Sequence, residues 1–225
     1  YDIPQGGRAT RGRAIVNLIG CDPGEKVEAF VSVKEFDDNH YIVMATRNGI
    51  IKKTVLSAYG KPRKGGIYAI EIRDKDKLIE ARITNGEHDI LLGTREGKSI
   101  RFSESNIRPS GRKTMGVKGI TLSSKEDYLV GMLVVKREGT ILVATEKGYG
   151  KRTDVLQYRT QTRGGKGVMT MRVTEKTGKM VSIMEVVDAD DLIVITDKGV
   201  LMRQPVSNIR TIGRVTQGVK LVKLD

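Results

Sequence analysis

The chain is 225 residues long and carries 40 Lys and Arg against 27 Asp and Glu, a formal net charge of +13. A surplus of that size points to a polyanionic partner, nucleic acid before an acidic membrane surface. A lone Cys21 excludes an internal disulfide framework, no apolar run approaches membrane-spanning length, and 4% aromatic residues with no Trp leave few platforms for stacking single-stranded bases.

Taken in chain order, the sequence opens at Tyr1 without a Met or a visible secretory signal, which reads as a piece of a longer polypeptide. Residues 1–40 read as the back half of a repeat, marked by Arg8 a few positions ahead of Gly12. A hairpin follows, Ile42 through Thr46-Arg47-Asn48-Gly49 to Lys52, and the Asn-Gly pair suits a tight turn with positive φ at both central positions. The same pattern returns as Ile90 to Gly97 and Arg101, as Ile141 to Gly148 and Lys151, and as Leu192 to Gly199 and Arg203. The turn glycines at 49, 97, 148 and 199 are 48, 51 and 51 residues apart.

Each hairpin is followed by a second landmark, a basic residue shortly before a glycine: Arg112 to Gly116, Arg163 to Gly167 and Arg214 to Gly218, with 61–66 a shortened version. Strand candidates in the third full repeat are 141–145, 149–152, 167–173 and 179–187. Four short strands per unit of about fifty residues predict an all-β, propeller-like fold. The expected blades are 1–40 (partial), 41–89, 90–139, 140–191 and 192–225 (partial), all in one domain.

Charge is concentrated within each repeat. The windows 8–13, 52–64, 101–118, 151–167 and 203–220 hold 22 of the 40 basic residues and only two acids, Glu104 and Asp154, so the rest of the chain is net acidic. Repeated about an axis, such loops make an arc of positive charge suited to a bent duplex. The expected phosphate contacts are Lys52, Lys53, Arg63, Lys64, Arg101, Arg112, Lys113, Lys151, Arg152, Arg163, Lys166, Arg203 and Arg214. No helix-turn-helix, zinc-finger or RNA-recognition motif is present, so binding without base reading is expected.

Gln161-Thr162-Arg163-Gly164-Gly165-Lys166-Gly167 sets two cations around two glycines, which allow close backbone approach and leave N–H groups free for an anion. This segment resembles the Gln-Arg-Arg-Gly-Gly-Lys-Gly box found in the A chains of bacterial DNA gyrases at six of seven positions, with Thr162 in place of Arg. Glu146 to Thr153, Met44 to Gly49, Ile100 to Glu104 and Thr216 to Lys220 are similar to that family too. The resemblance covers essentially the whole chain. It implies the C-terminal domain of gyrase A, a six-bladed β-pinwheel with DNA wrapped on its perimeter. In that family the full box lies in the first blade, whereas 140–191 resembles the fifth and 1–40 the back half of the second. Gln161–Gly167 is then a box-like copy, with the true box upstream.

The resemblance further implies no catalytic residue and no cofactor in this domain, ATP and Mg²⁺ being used elsewhere in an ATP-dependent type II topoisomerase. The implied partners are double-stranded DNA, the rest of gyrase A, and gyrase B in an A2B2 assembly, in the bacterial cytoplasm on the chromosome and not at a membrane. The alternatives are the equivalent C-terminal domain of topoisomerase IV, acting in decatenation, and a protein-interaction propeller, whose usual Trp-Asp or aromatic signatures are absent. His40 and His88 lack ligand spacing, and Asp37-Asp38 and Asp188/Asp190/Asp191 read as turns, so no metal site is expected.

Overall fold

The architecture is that of a computed structural model describing residues 5–12, 14–20, 24–63 and 65–224. Among these lie β1 (Tyr41–Thr46), β2 (Ile50–Val55), β3 (Leu78–Thr84), β4 (Asp89–Thr94), β5 (Lys98–Ser103), β6 (Val117–Lys118) and β7 (Leu129–Val135). They are followed by β8 (Thr140–Thr145), β9 (Tyr149–Asp154), β10 (Val168–Met169), β11 (Met180–Val186), β12 (Asp191–Ile195), β13 (Leu201–Pro205) and β14 (Val219–Lys220). Short 3-10 turns follow β2, β5, β9 and β13, and Ile15–Asn17 forms another. No strand is described before Tyr41.

The hairpins stand where the turn glycines predicted them, but the turn differs from the expected one. Gly49, Gly97, Gly148 and Gly199 have φ between 73° and 82°, while the residues before them do not have positive φ. Each glycine N–H donates at 3.0 Å to the carbonyl three residues back, of Thr46, Thr94, Thr145 and Thr196. This is a type I turn closed by a left-handed glycine, which needs only one permissive position. Asn-Gly, Glu-Gly and Lys-Gly therefore serve equally well.

Three antiparallel sheets have four strands each, ordered β3-β1-β2-β6, β7-β4-β5-β10 and β11-β8-β9-β14, and β12-β13 form a fourth, two-stranded sheet. This corrects the expectation that the four strands of one repeat build one blade. The candidate at 167–173 shortens to β10 and pairs with β5 of the preceding repeat, Val168 opposite Ser99 and Met169 opposite Lys98. Likewise β6 pairs with β2 and β14 with β9. An outer edge strand left open is a template for foreign pairing; here the next repeat covers it.

The sheets stack face to face, which explains the near-continuous apolar runs in their central strands. Val43 and Ala45 enter the core shared with Ile90, Leu92, Ile100 and Phe102, whereas Ile42 and Met44 pack on the opposite face with Leu56 and Tyr59. Leu91, Ile141, Val143 and Tyr158 fill the next interface, and Leu142, Leu192 and Val206 the one after it. A strand buried on both faces loses the alternation of a half-solvated one. β7 packs against both β3 and β11, beside an open cavity of about 450 Å³ that includes Ala81, Leu133 and Ile183. The long strands β3, β7 and β11 are therefore innermost and the two-residue strands β6, β10 and β14 outermost.

Close packing of the outer segment puts a strict demand on Gly167. Its φ is 68°, and a Cβ there would stand 2.3 Å from the Ser99 carbonyl oxygen. Gly66 has a similar φ of 77° with open space around its Cβ position. Gly167→Ala is expected to lower the unfolding free energy by about 3 kcal/mol, strain plus overpacking, and Gly66→Ala by about 1 kcal/mol, strain alone. Urea denaturation of both variants checks this; equal losses would refute the packing argument.

Candidate nucleic-acid interface

The outer edge of each full sheet is wrapped by a segment of the following repeat. Residues 107–120 cover the first sheet, 158–171 the second and 209–222 the third. Ser110 N–H donates to Lys53 O at 2.9 Å, Gln161 N–H to Arg101 O at 2.8 Å and Ile212 N–H to Arg152 O at 2.8 Å, so each segment begins along the second strand. β6, β10 and β14 then complete the sheet. These segments carry Arg108, Arg112, Lys113 and Lys118; Arg159, Arg163 and Lys166; and Arg210, Arg214 and Lys220, with no Asp or Glu among them.

Burial divides the expected contacts into two groups. Lys52 and Lys151 are 1% and 0% exposed. Lys52 Nζ donates to Ala69 O (2.7 Å) and Arg112 O (2.5 Å). Lys151 Nζ donates to Gly213 O (2.7 Å), to Thr216 Oγ1 (3.1 Å) and to Arg214 O. Lys53 is buried in an ion pair with Glu104 at 3.0 Å, its Nζ 4.4 Å from the Tyr41 ring centre. Arg152 is buried, with Nε donating to Ile209 O at 2.7 Å and Nη1 paired with Asp188. These four side chains are buried and already partnered, which corrects the outward placement expected from their charge. β5 and β9 lie between stacked sheets, whereas β2 has the β4-β5 sheet on one face and the segments around Val31, Tyr59 and Ala69 on the other. A wrapping segment covers the edge, so these cations are interior clamps.

The register of Lys53 and Arg152 recurs at Arg101 and Arg203. Arg101 is half-buried, with Nε donating to Asp89 Oδ2 at 2.7 Å, and exposed Arg203 is held by Asp191. All four residues at this position thus have carboxylate partners. Arg112, Arg163 and Arg214 are half-buried on the wrapping segments, and Arg63, Lys113 and Lys166 are exposed. Lys64 lies outside the described residues. In the box-like segment, Gly164 N–H donates to Gly119 O at 2.6 Å, and the Gly165 carbonyl accepts from Thr121 N–H at 2.8 Å. Gln161 and Gly167 are half-buried, and Thr162 and Lys166 face outward.

Sequence reasoning did not single out Arg108, Arg159 and Arg210 individually. All three are exposed, and each stands eleven residues after its hairpin glycine, a register that would have singled them out. Lys118 and Lys220 are exposed on β6 and β14, with Lys220 Nζ 5.5 Å from the Tyr149 ring centre. Among the described residues, none of these five forms an ion pair with a carboxylate. The rim is thus cationic and uncompensated, while in the layer beneath it Lys53 and Arg152 are paired with carboxylates and Lys52 and Lys151 are hydrogen-bonded to carbonyls. The paired acids outside this rim stay within the fold: Asp37 Oδ1 accepts from Asn39 and His40 N–H, and Asp190 Oδ2 from Val187 N–H, closing turns.

A family model described as the DNA gyrase C-terminal domain, beta-propeller, matches residues 1–34, 40–85, 88–136, 139–186 and 190–225. The DNA gyrase A protein of Escherichia coli (strain K12) is 44% identical over 223 residues, covering 99% of this chain and 25% of that protein. The DNA gyrase A protein of Clostridium acetobutylicum is 48% identical over 223 residues, 99% of this chain and 27% of that protein. The chain therefore spans about a quarter of the length of these relatives. Among solved structures, a C-terminal domain of DNA topoisomerase IV superposes with a TM-score of 0.88 at 27% identity, covering 94% of this chain and 66% of that one. A DNA gyrase A C-terminal domain superposes at 0.86 with 24% identity, over 96% and 72%, which shows the shared fold.

Burial, and secondarily the charge of Arg112, lowers the Lys52 pKa from 10.5 to about 8; burial and Arg214 do the same for Lys151. Between about pH 8 and 10.5 the unfolded chain then binds protons that the native chain has released, so each lysine contributes stability that rises with pH. The stability difference between the unaltered chain and a Lys52→Met/Lys151→Met variant should grow in favour of the unaltered chain from pH 8 to pH 10 in urea titrations. A difference independent of pH would show that both amines titrate normally.

Proposed function

Because the chain belongs to the DNA gyrase C-terminal domain family, we propose that it binds duplex DNA without base preference along the outer edges of its stacked sheets and bends it there. The bend serves negative supercoiling by an ATP-dependent gyrase. One observation carries this reading: the three wrapping segments set ten cations and no acid on consecutive sheet edges. Phosphates along a curved duplex meet such stations in succession. Bending a 20–30 base-pair site by 40–90° costs on the order of 1–6 kcal/mol, and counterions released at each Lys or Arg contact offset it. No base-reading element is needed, since phosphate contacts position the duplex without specifying sequence.

The remainder of the reading follows from the family. ATP and Mg²⁺ act elsewhere in an A2B2 assembly, built with the rest of gyrase A and with gyrase B, on the bacterial chromosome in the cytoplasm. Topoisomerase IV is the rival parent, favoured by the superposition at 0.88. Identities of 44% and 48% to gyrase A proteins support gyrase instead.

Replacing Arg108, Lys113 and Lys118 by Gln should weaken binding by the same factor for unrelated duplex sequences. It should also flatten the dependence of log K on log salt by about 0.9 per cation removed. Titration of two unrelated duplexes at four salt concentrations checks both. Affinity indifferent to salt would discard DNA in favour of a protein partner.

A further inference from the structure

Three arginines at one register make the same contact. Arg112 Nη1 donates to Tyr68 O at 3.3 Å, Arg163 Nη1 to Lys118 O at 3.1 Å and Arg214 Nη1 to Met169 O at 2.8 Å. Each acceptor lies two residues past the landmark glycine of the preceding repeat, Gly66, Gly116 or Gly167. Arg163 adds a second bond, Nε to Asn106 O at 2.9 Å. Every arginine thus leaves its own wrapping segment and grips the outer segment of the repeat before. A planar guanidinium can satisfy two carbonyls at fixed angles, which a lysine ammonium does not reproduce.

The neighbouring cations behave differently. Lys166, three residues after Arg163, is exposed, as are Arg159 and Lys118. Backbone bonds between the same two segments, Gly164 N–H to Gly119 O and Thr121 N–H to Gly165 O, flank the Arg163 contact and depend on the same spacing. A guanidinium bonded to carbonyls from another repeat is committed to an intramolecular geometry.

We propose that Arg112, Arg163 and Arg214 are positioning residues that clip each wrapping segment to the preceding one and so set the distance between successive phosphate stations. The phosphates themselves are held by the outward cations, Lys166 and Arg159 at the second sheet. In the box-like segment the two cations thus have different tasks: Arg163 spaces the rim and Lys166 meets the polyanion. This inference rests on the duplex-binding reading for its consequence, whereas the clip is a property of the free chain.

The test compares Arg163→Lys, which keeps the charge and removes the fork, with Arg163→Gln and Lys166→Gln. In the free chain, Arg163→Lys should speed amide exchange at Gly164 and Thr121 about tenfold, the effect of losing a charge-assisted bond, and Lys166→Gln should not. On a duplex labelled at both ends, Arg163→Lys should reduce bending measured by energy transfer and leave the salt slope unchanged. Lys166→Gln should lower the slope by about 0.9. Arg163→Lys that exchanges and bends like the unaltered chain, together with Arg163→Gln that loses about 0.9 of slope, overturns the proposal and makes Arg163 a phosphate contact. If the unaltered chain binds no duplex, the functional reading fails on its own. The exchange measurement then still decides the clip: acceleration by Arg163→Lys upholds it, and unchanged exchange overturns it.

Discussion

The outer edge of each full blade is closed by a strand two residues long, Val117–Lys118 on β2, Val168–Met169 on β5 and Val219–Lys220 on β9. Each is lent by the following repeat, and the consequences of that loan reach through the molecule. It removes an open sheet edge that would invite pairing with another chain. It requires the close approach that Gly167 makes to the Ser99 carbonyl. It also draws the loop before the strand across the edge, so the most basic part of each repeat is carried to the perimeter of its neighbour. Fold closure and charge display come from one structural element.

The cations are arranged in depth. Lys52, Lys53, Lys151 and Arg152 lie inside and are satisfied by carbonyls or carboxylates, as buried charges must be. Arg112, Arg163 and Arg214 bridge segments at half-burial. Arg108, Arg159, Arg210, Lys113 and Lys166 face outward. Lys52, Lys151 and Arg152 hold carbonyls of the very loops that display the outer ones: Lys52 binds the Arg112 carbonyl, beside Lys113. In the second sheet Ile100 occupies the corresponding place in the core, and the Gly-rich loop is held by backbone bonds to Gly119 and Thr121 instead.

Much of this is legible in the sequence, and the remainder is hidden for identifiable reasons. Four hairpins in register with glycines at 49, 97, 148 and 199 announce stacked four-stranded units, because a lone unit of that kind cannot bury both faces. Which sheet receives Val168-Met169 is not legible: two residues have no periodicity to read, and their partner Ser99 lies some seventy positions away. The basic windows are located correctly as chain segments, but charge alone makes Lys52 and Lys151 look outward. Side chains at a strand surface pass for solvated when the covering segment belongs to another repeat. Burial of those lysines needs carbonyl acceptors at 69, 112, 213 and 214, a constellation only three-dimensional closure assembles. Arg108, Arg159 and Arg210 are visible by register, yet they lie outside the glycine-rich landmark that draws attention.

The central claim is that duplex DNA follows the borrowed edges. Its most direct test is photo-crosslinking to a duplex from a photoreactive residue placed at position 108, 159 or 210, and separately at hairpin positions 48, 96 or 147. The account predicts crosslinks from all three edge positions at regularly spaced sites on one duplex, with little from the hairpin turns. Crosslinking from the hairpin turns with none from the edges would contradict it.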